Sequence, residues 1–222
     1  MKTNTINGKN FVAPEGVLTI PEGVTAIAEG AFEGRNDIKA VRLPTTLRSI
    51  GKKAFAYCTN LKEVVLPTGL TTIGAGAFES TALEEVRIPE GVTSIGRTAF
   101  WGCKALNKLS LPEGVTEIGE YAFAYTAIEE VKLPEGITSI AAGLFAGTAI
   151  RQITIPEGVT AIGSFAFDGC EVLKKVTFPE SVTEIGAFAF MNCTSLTAVR
   201  LPEGVTNLME FEGVATDIED ED

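Results

Sequence analysis

Residues 112–133 read P-E-G-V-T-E-I-G-E-Y-A-F-A-Y-T-A-I-E-E-V-K-L. The closing Ile128-Glu129-Glu130-Val131-Lys132-Leu133 has the form L-x-x-V-x-L. Its alternation of apolar and polar residues predicts a short strand with Val131 and Leu133 turned inward. A proline then ends the strand, because it has no N–H to give to a ladder, and Glu-Gly makes the turn. The V-T-E-I that follows Gly114 is rich in β-branched residues and predicts a second extended segment. Gly119 bends the chain, and Ala122-Phe123 fall in what reads as a brief helical or 3-10 turn.

The same phrase recurs along the chain. P-x-x-[VIL]-x-x-[IL] opens at Pro21, Pro44, Pro67, Pro89, Pro112, Pro134, Pro156, Pro179 and Pro202, at successive spacings of 23, 23, 22, 23, 22, 22, 23 and 23 residues. A fixed period of this length marks a solenoid, one supersecondary unit stacked on copies of itself. A lone unit buries too few apolar side chains to offset the entropy of ordering its backbone, so the copies must stack. The division expected is an N-terminal cap and partial repeat over 1–20, eight repeats over 21–201, and a partial repeat with C-terminal cap and acidic tail over 202–222. The 22-residue copies lose one residue between the position three after the Phe and the next Leu, as in Phe78-Glu79-Ser80-Thr81-Ala82-Leu83. A change of length there belongs in a turn outside the core.

L-x-x-V-x-L-P-x-x-V-x-x-I-x-x-x-A-F-x-x-C, over roughly residues 18–208, resembles the BspA-like, or Treponema pallidum type, class of leucine-rich repeat. The resemblance implies a curved right-handed solenoid with a parallel β-sheet on its concave side and short helical or 3-10 turns opposite. It also implies a non-catalytic module that binds protein or glycan partners from the surface of microbes or after secretion. The alternative is a structural or engineered repeat scaffold with no natural ligand, which the regularity of the copies motivates.

Composition narrows the chemistry. There is no histidine, so the commonest general base and the commonest metal ligand are both absent. No motif points to a catalytic centre, and no enzyme activity, cofactor or metal is expected. A net charge of −11 repels nucleic acid and anionic membrane. No apolar run reaches the roughly 18 residues a membrane helix needs. The opening eight residues carry no apolar stretch like that of a secretory signal, which leaves open a cytosolic chain or one whose leader has been removed. The run over 217–222, D-I-E-D-E-D, reads as a disordered solubilising end; it lacks the spaced ligands and turn glycine of a calcium loop.

Cys58, Cys103, Cys170 and Cys193 share one slot, three residues after the repeat Phe, where Thr81, Thr126 and Thr148 stand in other copies. Stacking strings them along a line, which argues against a zinc site and for buried free thiols. Cys170 and Cys193 stand in adjacent copies, near enough for a disulfide on distance, but with parallel Cβ vectors. Seven glutamates after proline (Glu22, Glu90, Glu113, Glu135, Glu157, Glu180 and Glu203) should line one edge as solvated turn residues.

The residues between the two inward positions of each strand are Arg42, Val65, Arg87, Ser110, Lys132, Thr154, Thr177 and Arg200, and these are the candidate partner-binding positions. With the two positions before each strand's first inward residue, the face holds ten basic and five acidic side chains on an acidic chain. Such a face suits an acidic protein or glycan; alternatively its charges are cross-strand pairs. Tyr57, Trp101, Tyr121, Tyr125, Phe165 and Phe188 make a rival aromatic patch around the core Phe. A monomer is expected, with an end-to-end dimer as the alternative.

Overall fold

The computed structural model describes residues 4–8 and 11–205, and the backbone of 215–218. Strands are numbered β1 to β18 along the chain. One set comes from the L-x-x-V-x-L phrases: β2 (Val17–Thr19), β4 (Ala40–Arg42), β6 (Glu63–Val65), β8 (Glu85–Arg87), β10 (Lys108–Ser110), β13 (Gln152–Thr154), β15 (Lys175–Thr177) and β17 (Ala198–Leu201). The other comes from the V-T-x-I phrases: β1 (Thr5–Ile6), β3 (Ala26–Ile27), β5 (Ser49–Ile50), β7 (Thr72–Ile73), β9 (Ser94–Ile95), β11 (Glu117–Ile118), β12 (Ser139–Ile140), β14 (Ala161–Ile162) and β16 (Glu184–Ile185). All pairings are parallel, each strand against its counterpart one coil away. The chain is a β-solenoid of leucine-rich-repeat type with three runs per coil: a strand, a second strand and a turn that carries the Phe.

The core runs the length of the stack. Phe32, Phe55, Phe78, Phe100, Phe123, Phe145 and Phe167 are fully buried. Their rings stack nearly parallel, 5.2 Å apart at Phe32–Phe55 and 6.0 Å apart at Phe123–Phe145. The alanine before each Phe, replaced only by Leu144 before Phe145, leaves room for the ring of the neighbouring coil, which fills the layer without voids.

The Phe turn is not helical. The one 3-10 helix among the described residues is Pro14–Gly16, at the N-terminal end. In each coil, N–H groups alternate. Ala31, Glu33 and Arg35 donate to the residue three back and so close successive β-turns, while Gly30, Phe32 and Gly34 donate to the next coil. The residues two before and two after the Phe take positive φ in every coil from Gly30 and Gly34 to Phe188 and Asn192. An alternation of this kind cannot continue a right-handed helix, because the left-handed residues reverse the chain at each step.

Stacking also explains the glycine that follows the V-T-x-I strand in most coils. A Cβ on Gly119 would lie 2.4 Å from the Arg97 nitrogen of the preceding coil, and one on Gly163 2.5 Å from the Ala142 nitrogen. The close approach lets the glycine N–H reach the Ile of the preceding coil, as from Gly119 to Ile95 at 2.8 Å.

Two further expectations differ from the structure. Residues 128–133 form no strand, although their pattern matches their neighbours'. They lie between two consecutive 22-residue coils, each a residue short just before its strand. Among the described residues, the L-x-x-V-x-L ladder lapses at all three 22-residue steps. It lapses as well between β15 and β17, where the spacing is 23 and offers no reason. At the other end, Asp217 and Ile218, read as disordered tail, belong to β18 (Ala215–Ile218), whose backbone pairs in parallel with β17. The rest of that tail, 219–222, lies outside the described residues.

Candidate binding surface

Strand alternation places the eight candidate residues on one face, and all eight are exposed: Arg42, Val65, Arg87, Ser110, Lys132, Thr154, Thr177 and Arg200. Register carries them into a row wherever the ladder holds. Arg42 stands beside Val65, Arg87 beside Ser110, and Thr154 beside Thr177. The row borders two open grooves on this face. One, of about 1030 Å³, is lined in part by Val65 and Arg87. The other, of about 860 Å³, contains Ser110, Lys132, Thr154 and Thr177.

Charge on this face is partly paired. Lys62 meets Glu84 at 4.0 Å, Arg151 meets Glu129 at 3.3 Å, and Lys132 reaches Glu113 at 2.6 Å. Glu113 also accepts from the Glu135 N–H at 3.0 Å, so one carboxylate bridges two coils. The Lys132 ammonium, then the Glu135 N–H, hold the Glu113 carboxyl below its ordinary range; Glu113 in turn raises the Lys132 ammonium. Arg42 and Arg87 have no ion-pair partner among the described residues. Cross-strand pairing therefore accounts for part of the charge and leaves the guanidiniums of Arg42 and Arg87, before and after Val65 in the row, outside it.

The glutamates after proline are all exposed along one edge. Besides Glu113, Glu22 clips onto the next coil: its carboxylate accepts from the Thr45 N–H at 3.0 Å and Oγ1 at 3.1 Å, and the backbone bond above all lowers its pKa.

The aromatic residues lie on the Phe-turn side. Tyr57, Tyr125 and Phe188 are exposed; Trp101, Tyr121 and Phe165 are half-buried. Trp101 meets Tyr125 edge-on at 5.7 Å, and Phe165 stacks on Phe188 at 5.3 Å. Tyr57 Oη donates to Glu79, and this bond is the main reason its pKa is raised. Tyr121 and Tyr125 lie over Gly143 and Gly147 of the next coil, where a Cβ would collide with their rings. Much of this aromatic surface covers backbone.

The cysteine slot has a chemistry that spacing did not show. Cys58, Cys103, Cys170 and Cys193 are buried free thiols, and each donates to the carbonyl of the preceding coil's Phe: Phe32, Phe78, Phe145 and Phe167, at 3.0–3.2 Å. Thr81, Thr126 and Thr148 instead donate Oγ1 to the Phe of their own coil. The three threonines occupy the three 22-residue coils and the cysteines four of the five 23-residue ones, with Arg35 in the slot of the first. The slot thus satisfies a buried carbonyl, and its residue type goes with the length of the turn that follows. Burial pushes Cys58 and Cys103 up to about 11 and Cys193 to about 12. None is poised as a nucleophile. No group of three or more metal-ligating side chains occurs among the described residues.

Comparisons with known proteins agree with this architecture. Among solved structures, the leucine-rich-repeat protein TpLRR of T. pallidum is 28% identical, with 86% of this chain and 81% of that chain covered and a TM-score of 0.61. The pneumococcal vaccine antigen PcpA shares the fold at 18% identity and a TM-score of 0.52, over 93% of this chain and 74% of its own. A leucine-rich-repeat protein of Bacteroides ovatus is 25% identical over 86% of this chain and 69% of that one, with a TM-score of 0.44. A search of curated proteins gives no match. The family model described as the BspA type leucine-rich repeat region matches six copies over residues 15–107 and 93–212, and the chain belongs to that family.

Proposed function

We propose that the protein is a non-catalytic interaction module that holds an acidic protein or glycan on the face formed by the L-x-x-V-x-L strands. The observation that carries this reading is the single exposed row of Arg42, Val65, Arg87, Ser110, Lys132, Thr154, Thr177 and Arg200, in which no residue is acidic. Packing dictates the inward residues of every coil, whereas the row is free of that constraint and can encode a partner. The absence of histidine and the buried, proton-retaining thiols support a role without catalysis. A setting outside the cell or on its surface, as the family resemblance implies, is part of the same proposal.

The test is binding to immobilised extracellular-matrix proteins and sulfated glycans, before and after Arg42, Arg87, Lys132 and Arg200 are changed to Glu. Loss of more than about tenfold, with binding that weakens as salt rises, is the expected result. Binding unchanged by the four reversals would discard the strand face.

A further inference from the structure

We propose that the solenoid is two stacked blocks joined by a hinge at its fifth coil, created by Ala141 and held closed by exposed ion pairs. The inference does not depend on the binding role of the strand face.

The V-T-x-I strands form an unbroken sheet from β1 to β11 and another from β12 to β16, with no pairing between β11 and β12. At that junction the recurrent glycine is replaced by Ala141. In neighbouring coils a Cβ at this place would come within 2.4–2.6 Å of the preceding coil's backbone. The alanine methyl therefore holds the two coils apart. The bond made by Gly119 to Ile95 and by Gly163 to Ile140 has no counterpart from Ala141 to Ile118. Ala28, the other alanine at this position, keeps its bond to Ile6 in β1, the edge strand of that sheet among the described residues.

The strand face gives way at the same place. Over 129–133 the only backbone–backbone hydrogen bond among the described residues runs from the Arg151 N–H to the Glu129 carbonyl, at 3.2 Å. Val131 is half-buried there, as is Leu109 in the preceding coil, while Ile153 in the following coil is buried. The Phe rings are farthest apart across this junction, 6.0 Å at Phe123–Phe145.

The third run stays closed. Tyr121, Phe123 and Tyr125 donate to Ala142, Leu144 and Ala146 at 2.7–3.1 Å. A coil bonded along one side and unladdered along the other two can rotate about the bonded side. Such rotation widens or narrows the groove around Lys132. Side-chain clips replace the missing ladder: Glu113 with Lys132 and the Glu135 N–H, and Glu129 with Arg151. Solvent-exposed clips yield to salt, as backbone ladders do not.

Amide hydrogen exchange on the intact chain and on two variants tests the hinge. In the wild type, 129–133 and 139–141 should exchange faster than the equivalent amides of flanking coils. Ala141→Gly should slow exchange over 139–141 by about fivefold, the equivalent of one restored hydrogen bond. Glu113→Gln, at an exposed site that leaves the core untouched, should quicken exchange of the Glu135 amide, which donates to Glu113, by about two- to fivefold in low salt and have no effect near 1 M salt. Uniform protection along the wild-type stack would overturn the proposal. So would an Ala141→Gly variant that loses protection, the usual result of putting glycine into a strand.

Discussion

Each coil depends on a few side chains that neighbouring coils share. Phe100 is fully buried between Phe78 and Phe123, at ring distances of 5.4 and 5.5 Å. Phe100→Ala should cost about 3–5 kcal/mol, read as a lower denaturant midpoint, because close-packed coils on both sides cannot collapse into the void. The cysteines make a second residue-scale prediction. Their folded pKa lies above that of the unfolded chain, so the unfolded state loses its protons first as pH rises. The stability they contribute is complete below about pH 9 and is lost as pH rises through about 11 to 12. Alkaline melting should therefore steepen above pH 9, and Cys103→Thr should remove on the order of 2 kcal/mol of that alkaline loss. A variant that melts with the wild-type pH profile would show the thiol to be uninvolved.

At the level of the element, the Phe turn is where sequence and structure part. The inward pattern of Leu, Val and Phe was legible, since burial follows periodicity directly. The turn's conformation was not, because Ala-Phe amid small residues suits a helix as well as a chain of β-turns. The available signal was glycine at fixed distances from the Phe, as at Gly30 and Gly34 or Gly143 and Gly147, diluted by bulky residues at the same places. Those residues carry strain. Thr98 is β-branched with φ of 51°, and Thr98→Gly should stabilise the chain by up to about 1 kcal/mol. Gly143→Ala should do the reverse by more than about 1 kcal/mol, since its new methyl also meets the Tyr121 ring. Thermal melts of the pair separate backbone strain from ring contact. The strand over 128–133 failed for a different reason. Its local pattern is correct, but pairing depends on the lengths of the coils on either side, which no window of one coil contains. The candidate row was legible because outward positions follow from alternation alone. The Arg151–Glu129 pair, one repeat apart, is the cross-strand pairing weighed from the sequence; the Lys132–Glu113 pair, 19 residues apart, was not legible, because it joins a strand position to a turn position.

On the scale of the whole molecule, stability is a sum over coils and the contacts between them, so the weakest junction sets where cooperativity ends. With its strand ladders lapsed at the fifth coil, the wild type should unfold in urea through a state with one block intact. Ala141→Gly should draw the two steps together, seen as coincidence of far-ultraviolet circular dichroism with fluorescence of Trp101. Two transitions of unchanged separation would place the weak junction elsewhere.

The interrupted ladders contrast with the Phe turns, whose coil-to-coil bonds all point one way. From Gly30, Phe32 and Gly34 to Phe165, Phe167 and Gly169, every such N–H is directed at the coil that follows. Peptide units aligned head to tail in three columns add up as they do along an α-helix. The Phe-turn side therefore carries an axial dipole, with carbonyl oxygen toward its N-terminal end and amide hydrogen toward its C-terminal end. The glycine N–H groups after the V-T-x-I strands point the other way, as from Gly51 to Ile27 and Gly74 to Ile50. The two ends of the Phe-turn side are electrically unlike, and the acidic run over 217–222 follows in sequence from the end that favours anions.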